Sequence, residues 1–117
     1  MAYKFAEDSL EPKAAEWDKT KEFPVQVFQQ AAELGFGGIY VSEEQGGCGL
    51  GRLEASLIFE ALSTGCVGSS AFLSIHNMVA WMIDSYGNDH LKEKFLPQLV
   101  SCERLGSYCL TEPDSGS

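Results

Sequence analysis

The run SSAFLSIHNMVAWMIDSYG, residues 69–87, decides more about this chain than any other stretch. Phe72, Ile75, Val79, Met82, Ile83 and Tyr86 recur at the three- and four-residue spacing of one helix face. Apolar residues also fall off that stripe, which predicts a long helix buried on most of its sides. Such a helix cannot hide its surface alone, so other helices must pack around it. Four further runs have helical character. Residues 1–20 carry Phe5, Leu10, Ala14 and Trp17 at loose helical spacing, interrupted by Pro12. In FPVQVFQQAAELG, Pro24 suits a first turn, Val27, Phe28, Ala31 and Leu34 form a stripe, and Gly35 suits the position after the helix end. RLEASLIFEALSTG repeats the pattern through Leu53, Leu57, Ile58 and Ala61 and closes at Gly65. Asn88 suits the cap of DHLKEKFLPQLVSC, in which Leu91, Phe95 and Leu99 share a face and Pro97 predicts a kink or an early stop. These runs predict an all-α domain of about five helices. At 117 residues and 44% apolar, one domain with a core is the natural unit.

Charge narrows the partners. Seventeen acidic side chains against eight basic ones give a net charge of -9. That field repels nucleic-acid phosphates and anionic lipid surfaces, and no run approaches the apolar length of a membrane span. MAYKFAEDSLEP is acidic and lacks an apolar stretch, unlike a secretory or transit peptide. Cys48, Cys66, Cys102 and Cys109 form no C-x-x-C pair, which predicts reduced thiols.

Three features invite a chemical reading and lose it. FGGIYVSEEQGGCGLG predicts a short extended piece, Ile39 to Val41, followed by a glycine-rich loop. GGCGLGRL approaches a phosphate-binding loop, but Arg52 and Leu53 stand where lysine and a hydroxyl are needed. A plain inter-helix loop remains. His76 is a lone helical histidine without a nucleophile and acid pairing with it in sequence, which predicts a hydrogen-bonded structural residue. Glu43, Glu44, Glu54 and Glu60 read as solvated acids.

The closing TEPDSGS reads as a turn, with proline setting φ and Asp and Ser bonding locally. It also offers Thr111, Ser115 and Ser117 hydroxyls and backbone amides near Gly116, which suit an anion or a polar cofactor. Local chemistry leaves both readings open.

YCLTEPDSGS, residues 108–117, resembles the flavin-loop signature of the acyl-CoA dehydrogenases, with Cys109, Leu110, Thr111, Glu112, Ser115, Gly116 and Ser117 in place. LGFGGIYVSEEQGGCGL and NDHLKEKFLPQL resemble other parts of the family in the same order. Further stretches, IFEALSTGC among them, look most like the members that take a short branched acyl chain from valine breakdown. The resemblance implies a mitochondrial-matrix flavoenzyme with an N-terminal helical domain, a middle β domain and a C-terminal helical bundle, with FAD between them. It implies an acyl-CoA substrate, electron transfer flavoprotein as electron acceptor and a homotetramer of the full-length protein. Residues 1–107 would be the helical domain and residues 108–117 the start of the flavin loop. The chain would then be an N-terminal piece.

Residue by residue, the resemblance implies flavin contacts for Tyr108, Leu110 and Thr111. It places Gly116 and Ser117 near the flavin pyrophosphate, with Ser117 also touching the CoA side of the substrate. The helix containing SSAFLSIHNM would help wall the acyl pocket. No residue here matches the family's catalytic base, and Asp114 stands where a small residue is expected. The rival readings are a non-catalytic helical module that binds acyl-CoA or a protein, and a relative acting on another acyl chain.

Overall fold

The computed structural model describes residues 1–116. Among them the helices fall into five runs, with no regular strand. The first run is continuous: α1 (Ala2–Phe5), a π-helical turn (Ala6–Leu10) and α2 (Glu11–Thr20). Pro12 explains the π turn. It has no N–H for the carbonyl four residues back, and its ring crowds that carbonyl. The chain widens instead, and the Glu11 amide bonds to the Ala6 carbonyl five residues back. Ala6 and Leu10, at the widened turn, are both fully buried.

Next come α3 (Val25–Glu33), a 3-10 turn at Glu43–Gln45, α4 (Arg52–Ser63), α5 (Val67–Tyr86) and α6 (Asp89–Val100). Two predicted helix-boundary residues act as expected. Gly35 takes a left-handed φ of 87° after α3, its amide bonding to the Ala32 carbonyl at 2.8 Å. The Phe36 amide reaches the Ala31 carbonyl at 3.0 Å, completing the paired reversal that closes many helices. Asn88 caps α6, its Oδ1 accepting from the Leu91 amide at 3.0 Å. Pro97 does not end α6, which runs on for three more residues. Only the Glu93 carbonyl is denied its usual donor, and Glu93 is exposed to water, which can take the donor's place.

α5 packs against both α4 and α6. One core joins Phe5, Leu10, Trp17, Phe28, Phe36, Leu62 and Leu73, and a smaller one joins Val41, Ala80, Leu96 and Leu99. Gly65 lets the first helical run approach: a Cβ there would sit 2.5 Å from the Ala6 carbonyl oxygen.

Two expectations are corrected. Ile39–Val41 lies in turns and not in the expected extended segment, with Ile39 and Val41 buried. The glycine-rich stretch folds back over it, with Cys48, Gly49 and Leu50 amides bonding to the Gly38, Val41 and Ile39 carbonyls at 2.9, 2.9 and 3.0 Å. The bends needed for that return leave no room for a regular strand. The buried face of α5 also differs. Ser69, Ser70, Leu73, His76, Asn77 and Ala80 point inward. The predicted stripe is split: Phe72, Met82 and Tyr86 are exposed, Phe72 by 52% and Tyr86 by 77%, while Ile75, Val79 and Ile83 are half-buried. The inward face needs polar groups because it must satisfy the backbones of the loops that cross it.

Candidate functional site

α5 carries three polar anchors. Asn77 is completely buried and uses its whole amide: Oδ1 accepts from the Ile39 amide at 2.7 Å, and Nδ2 donates to the Phe36 and Leu73 carbonyls at 2.8 and 2.9 Å. Two turns along, Asp84 accepts from the Ser42 amide at 2.8 Å and from the Ser42 hydroxyl at 3.0 Å. Lys92 of α6 lies 3.9 Å from the same carboxylate. Together they fasten the loop over residues 36–42.

His76 is the third anchor and faces the other way along the chain. Its Nε2 lies 2.8 Å from the Leu99 carbonyl, and its Nδ1 lies 3.0 Å from the Gly106 amide. A carbonyl can only accept and an amide N–H can only donate, so Nε2 carries the proton and Nδ1 the lone pair. Burial holds the imidazole below the ordinary histidine value of 6.5. Cys102, far away in sequence, comes within 3.6 Å of Nε2. The pair has the outline of a nucleophile and base but not the chemistry. Burial pushes the Cys102 thiol up to about 11, and the Nε2 proton is committed to Leu99. His76 is structural at this level, as its isolation in the sequence predicted.

That state has a pH consequence. Unfolding frees the imidazole to take a proton at its ordinary pKa, whereas the native fold resists it. His76-linked stability is therefore complete above about 6.5 and declines as pH falls from there toward the depressed native value. Thermal midpoints from pH 7.5 to 5 should fall, and the fall should be shallower in His76→Asn, which has no proton to gain.

The glycine-rich loop is no phosphate cradle. The Arg52 guanidinium lies 4.1 Å from the Tyr40 ring centre and 4.4 Å from that of Trp81, so this cation is held between two aromatic faces. Glu43, Glu44, Glu54 and Glu60 are solvent-exposed. A groove of about 590 Å³ runs between α4 and α5 past Arg52, and no residue of the closing segment lines it. Nearer that segment is a cavity of about 260 Å³ bounded by Phe23, Phe28, Phe72, His76, Leu105 and Ser107. The Phe23 ring centre is 4.9 Å from that of Phe28 and 4.8 Å from that of Phe72.

The closing stretch is the turn its residues predicted. Glu112 and Ser115 exchange two backbone bonds, 2.8 and 3.1 Å, around a Pro113–Asp114 corner. Thr111 and Gly116 are brought side by side: a Cβ at 116 would lie 3.4 Å from Thr111 Cγ2. Tyr108 is partly exposed and Leu110 is 78% exposed, so both present their side chains to solvent. Ser117 lies outside the described residues. The turn thus offers an exposed hydroxyl beside a position with no side chain, which suits the close approach of a polar cofactor.

A sequence profile of the acyl-CoA dehydrogenase N-terminal domain matches residues 1–103. The chain belongs to the acyl-CoA dehydrogenase family. It is 57% identical to the mitochondrial isobutyryl-CoA dehydrogenase of Dictyostelium discoideum and 50% identical to that of Bos taurus, in each case over all 117 residues. It spans 28% of the length of each of these relatives. Among solved structures, the FAD complex of PigA superposes with a TM-score of 0.90 at 34% identity, over 99% of this chain and 31% of that one. The helical architecture of this acyl-CoA dehydrogenase domain is therefore that of known flavoprotein relatives. Within it, Asn77, Asp84 and the Cys102–His76 contact are what sequence reasoning missed. The one available signal was polar residues at 77 and 84, a seven-residue interval on a helix dominated by apolar ones.

Proposed function

We propose that this chain is the N-terminal part of an FAD-dependent acyl-CoA dehydrogenase that converts isobutyryl-CoA to methacrylyl-CoA in the mitochondrial matrix. Residues 1–107 are its helical domain and 108–117 the start of its flavin loop. The observation that carries this reading is the 57% and 50% identity to isobutyryl-CoA dehydrogenases along the whole chain. The acyl-CoA thioester is the substrate, electron transfer flavoprotein receives the electrons, and the full-length protein is a homotetramer.

FAD, when bound, supplies the two-electron acceptor that α,β-dehydrogenation requires. This chain's residues bind and orient. The Thr111 hydroxyl and the nearby backbone amides donate to the polar edge of the flavin ring, with Tyr108 and Leu110 beside it. Gly116, with no side chain next to Thr111, allows the pyrophosphate to come close, and Ser117 serves both cofactor and the CoA side of the substrate. Residues of α5 within SSAFLSIHNM, the exposed Phe72 among them, provide apolar surface for the acyl pocket. No residue of this chain is assigned as the base that takes the α-proton.

The full-length protein, assayed with a panel of acyl-CoAs, is expected to turn over isobutyryl-CoA best with electron transfer flavoprotein as acceptor. Preference for a straight-chain or dicarboxylic substrate would overturn the assignment. Thr111→Val in that protein is expected to weaken FAD binding about tenfold, the effect of one lost hydrogen bond. The 117-residue chain alone is expected to lose FAD on gel filtration, since it holds one edge of the cofactor. Stoichiometric retention of yellow flavin would count against that division of contacts.

A further inference from the structure

We propose that His76 is a positioning residue for the flavin loop, setting where residues 108–111 leave the helical domain by holding the Gly106 amide. The proposal rests on the reading above that Tyr108–Thr111 meets the flavin. Among the described residues, the bond from the Gly106 amide to His76 Nδ1 is the only side-chain hydrogen bond made to residues 105–111. The other end of the same ring is fixed to Leu99, near the end of α6. The imidazole therefore ties together the last turn of one helix and the segment that departs from it.

The geometry between those two points is tight. The chain reverses at Cys102, which takes a left-handed φ of 53°, and the Arg104 amide returns to the Gln98 carbonyl at 3.0 Å. Gly106 then lies flat against α5: a Cβ there would be 2.9 Å from Val79 Cγ1 and 3.5 Å from Leu99 Cδ2. His76 and Gly106 also share the wall of the cavity formed by Phe23, Phe28 and Phe72. Tyr108 follows two residues later and Thr111 five residues later. A segment that short has little slack, so a shift at Gly106 is passed to the groups that would bond the flavin. Cofactor and substrate contacts tolerate displacements well below 1 Å before affinity and rate suffer.

A purely structural histidine and a positioning one can be separated, because the two ring nitrogens can be mimicked one at a time. In His76→Asn the side-chain oxygen sits where Nδ1 was and keeps an acceptor for Gly106, while the Leu99 bond is lost. In His76→Gln the amide nitrogen reaches Leu99, and the Gly106 acceptor is lost. Both are made in the full-length holoenzyme, and denaturation midpoints, FAD affinity and the flavin reduction potential are measured for each. The expected result is FAD binding about tenfold weaker and a shifted potential in His76→Gln, with His76→Asn within about twofold of wild type in affinity. Equal FAD affinity in the two variants, or a weaker one in His76→Asn, overturns the proposal, whatever their midpoints. If a variant does not fold, amide exchange of the wild-type apoprotein decides: Gly106 is expected to be protected before flavin binds, and free exchange there overturns the proposal. Thr111→Val separates this from the underlying reading. If it leaves flavin binding unchanged, the flavin-loop assignment fails. If it weakens binding while His76→Gln does not, only the positioning role fails.

Discussion

Asn77→Leu is expected to cost about 3–5 kcal/mol of folding stability, a large share of what a domain of this size possesses. Leucine shares the branched outline of asparagine and is bulkier, so no cavity forms, and crowding by its two methyl groups adds to the loss. Most of the cost lies with the groups left behind. The Ile39 amide and the Phe36 carbonyl have this one side chain as their buried partner, while the Leu73 carbonyl, which also accepts within α5, loses a second bond. Each buried group left unpaired costs roughly 1–3 kcal/mol, because water cannot replace the lost bond. Urea denaturation of the 117-residue chain measures the change. A loss below about 1 kcal/mol, comparable to removing an exposed helix cap such as Asn88, would show that the loop over residues 36–42 does not depend on α5.

The second large effect comes from two neighbouring glycines that do different things. A Cβ at Gly47 would press on the Val41 carbonyl oxygen and lie 2.6 Å from Val41 Cβ. Those are atoms of a completely buried residue, so the loop must move off the core to admit one methyl group. Gly47→Ala is therefore expected to cost about 3 kcal/mol. Gly46 has open space around its Cα but a φ of 85°, a conformation that an L residue adopts at a cost of about 1 kcal/mol. The two alanine variants, compared by thermal or urea midpoints, should differ by well over the error of either measurement. Similar losses at both positions would mean that conformation and not packing governs this loop.

The helices were legible because their signals are local. Gly35 and Asn88 mark ends through backbone conformation and a cap bond, both readable within a few residues. The closing turn was equally legible from Pro113 and Asp114. What failed was the orientation of α5. Periodicity counts apolar side chains, and it chose the stripe of Phe72, Ile75, Val79, Met82, Ile83 and Tyr86, of which Phe72, Met82 and Tyr86 are exposed and the rest only half-buried. The true inner face includes His76 and Asn77, whose partners, the Leu73 carbonyl apart, are backbone groups more than twenty residues away. No local rule registers a carbonyl that needs a donor from a distant helix. The loop over Ile39–Val41 failed for the same reason, since its shape is set by bonds to residues 48–50 and to α5. The candidate site was different again. Its turn geometry followed from its residues, but its link to flavin came from resemblance, because an exposed threonine beside a glycine is also what an ordinary turn displays.

The polar inner face of α5 has a consequence for how the molecule opens. Asn77, Asp84 and His76 between them hold the 36–42 loop, the end of α6 and the segment leading to the closing turn. None of those segments owns a core of its own, so each borrows its order from the same helix. Brief fluctuations that expose their amides to solvent should therefore not occur piecemeal. The Ile39, Ser42 and Gly106 amides should exchange with deuterium at one shared rate, set by a single event in which α5 loosens from its neighbours.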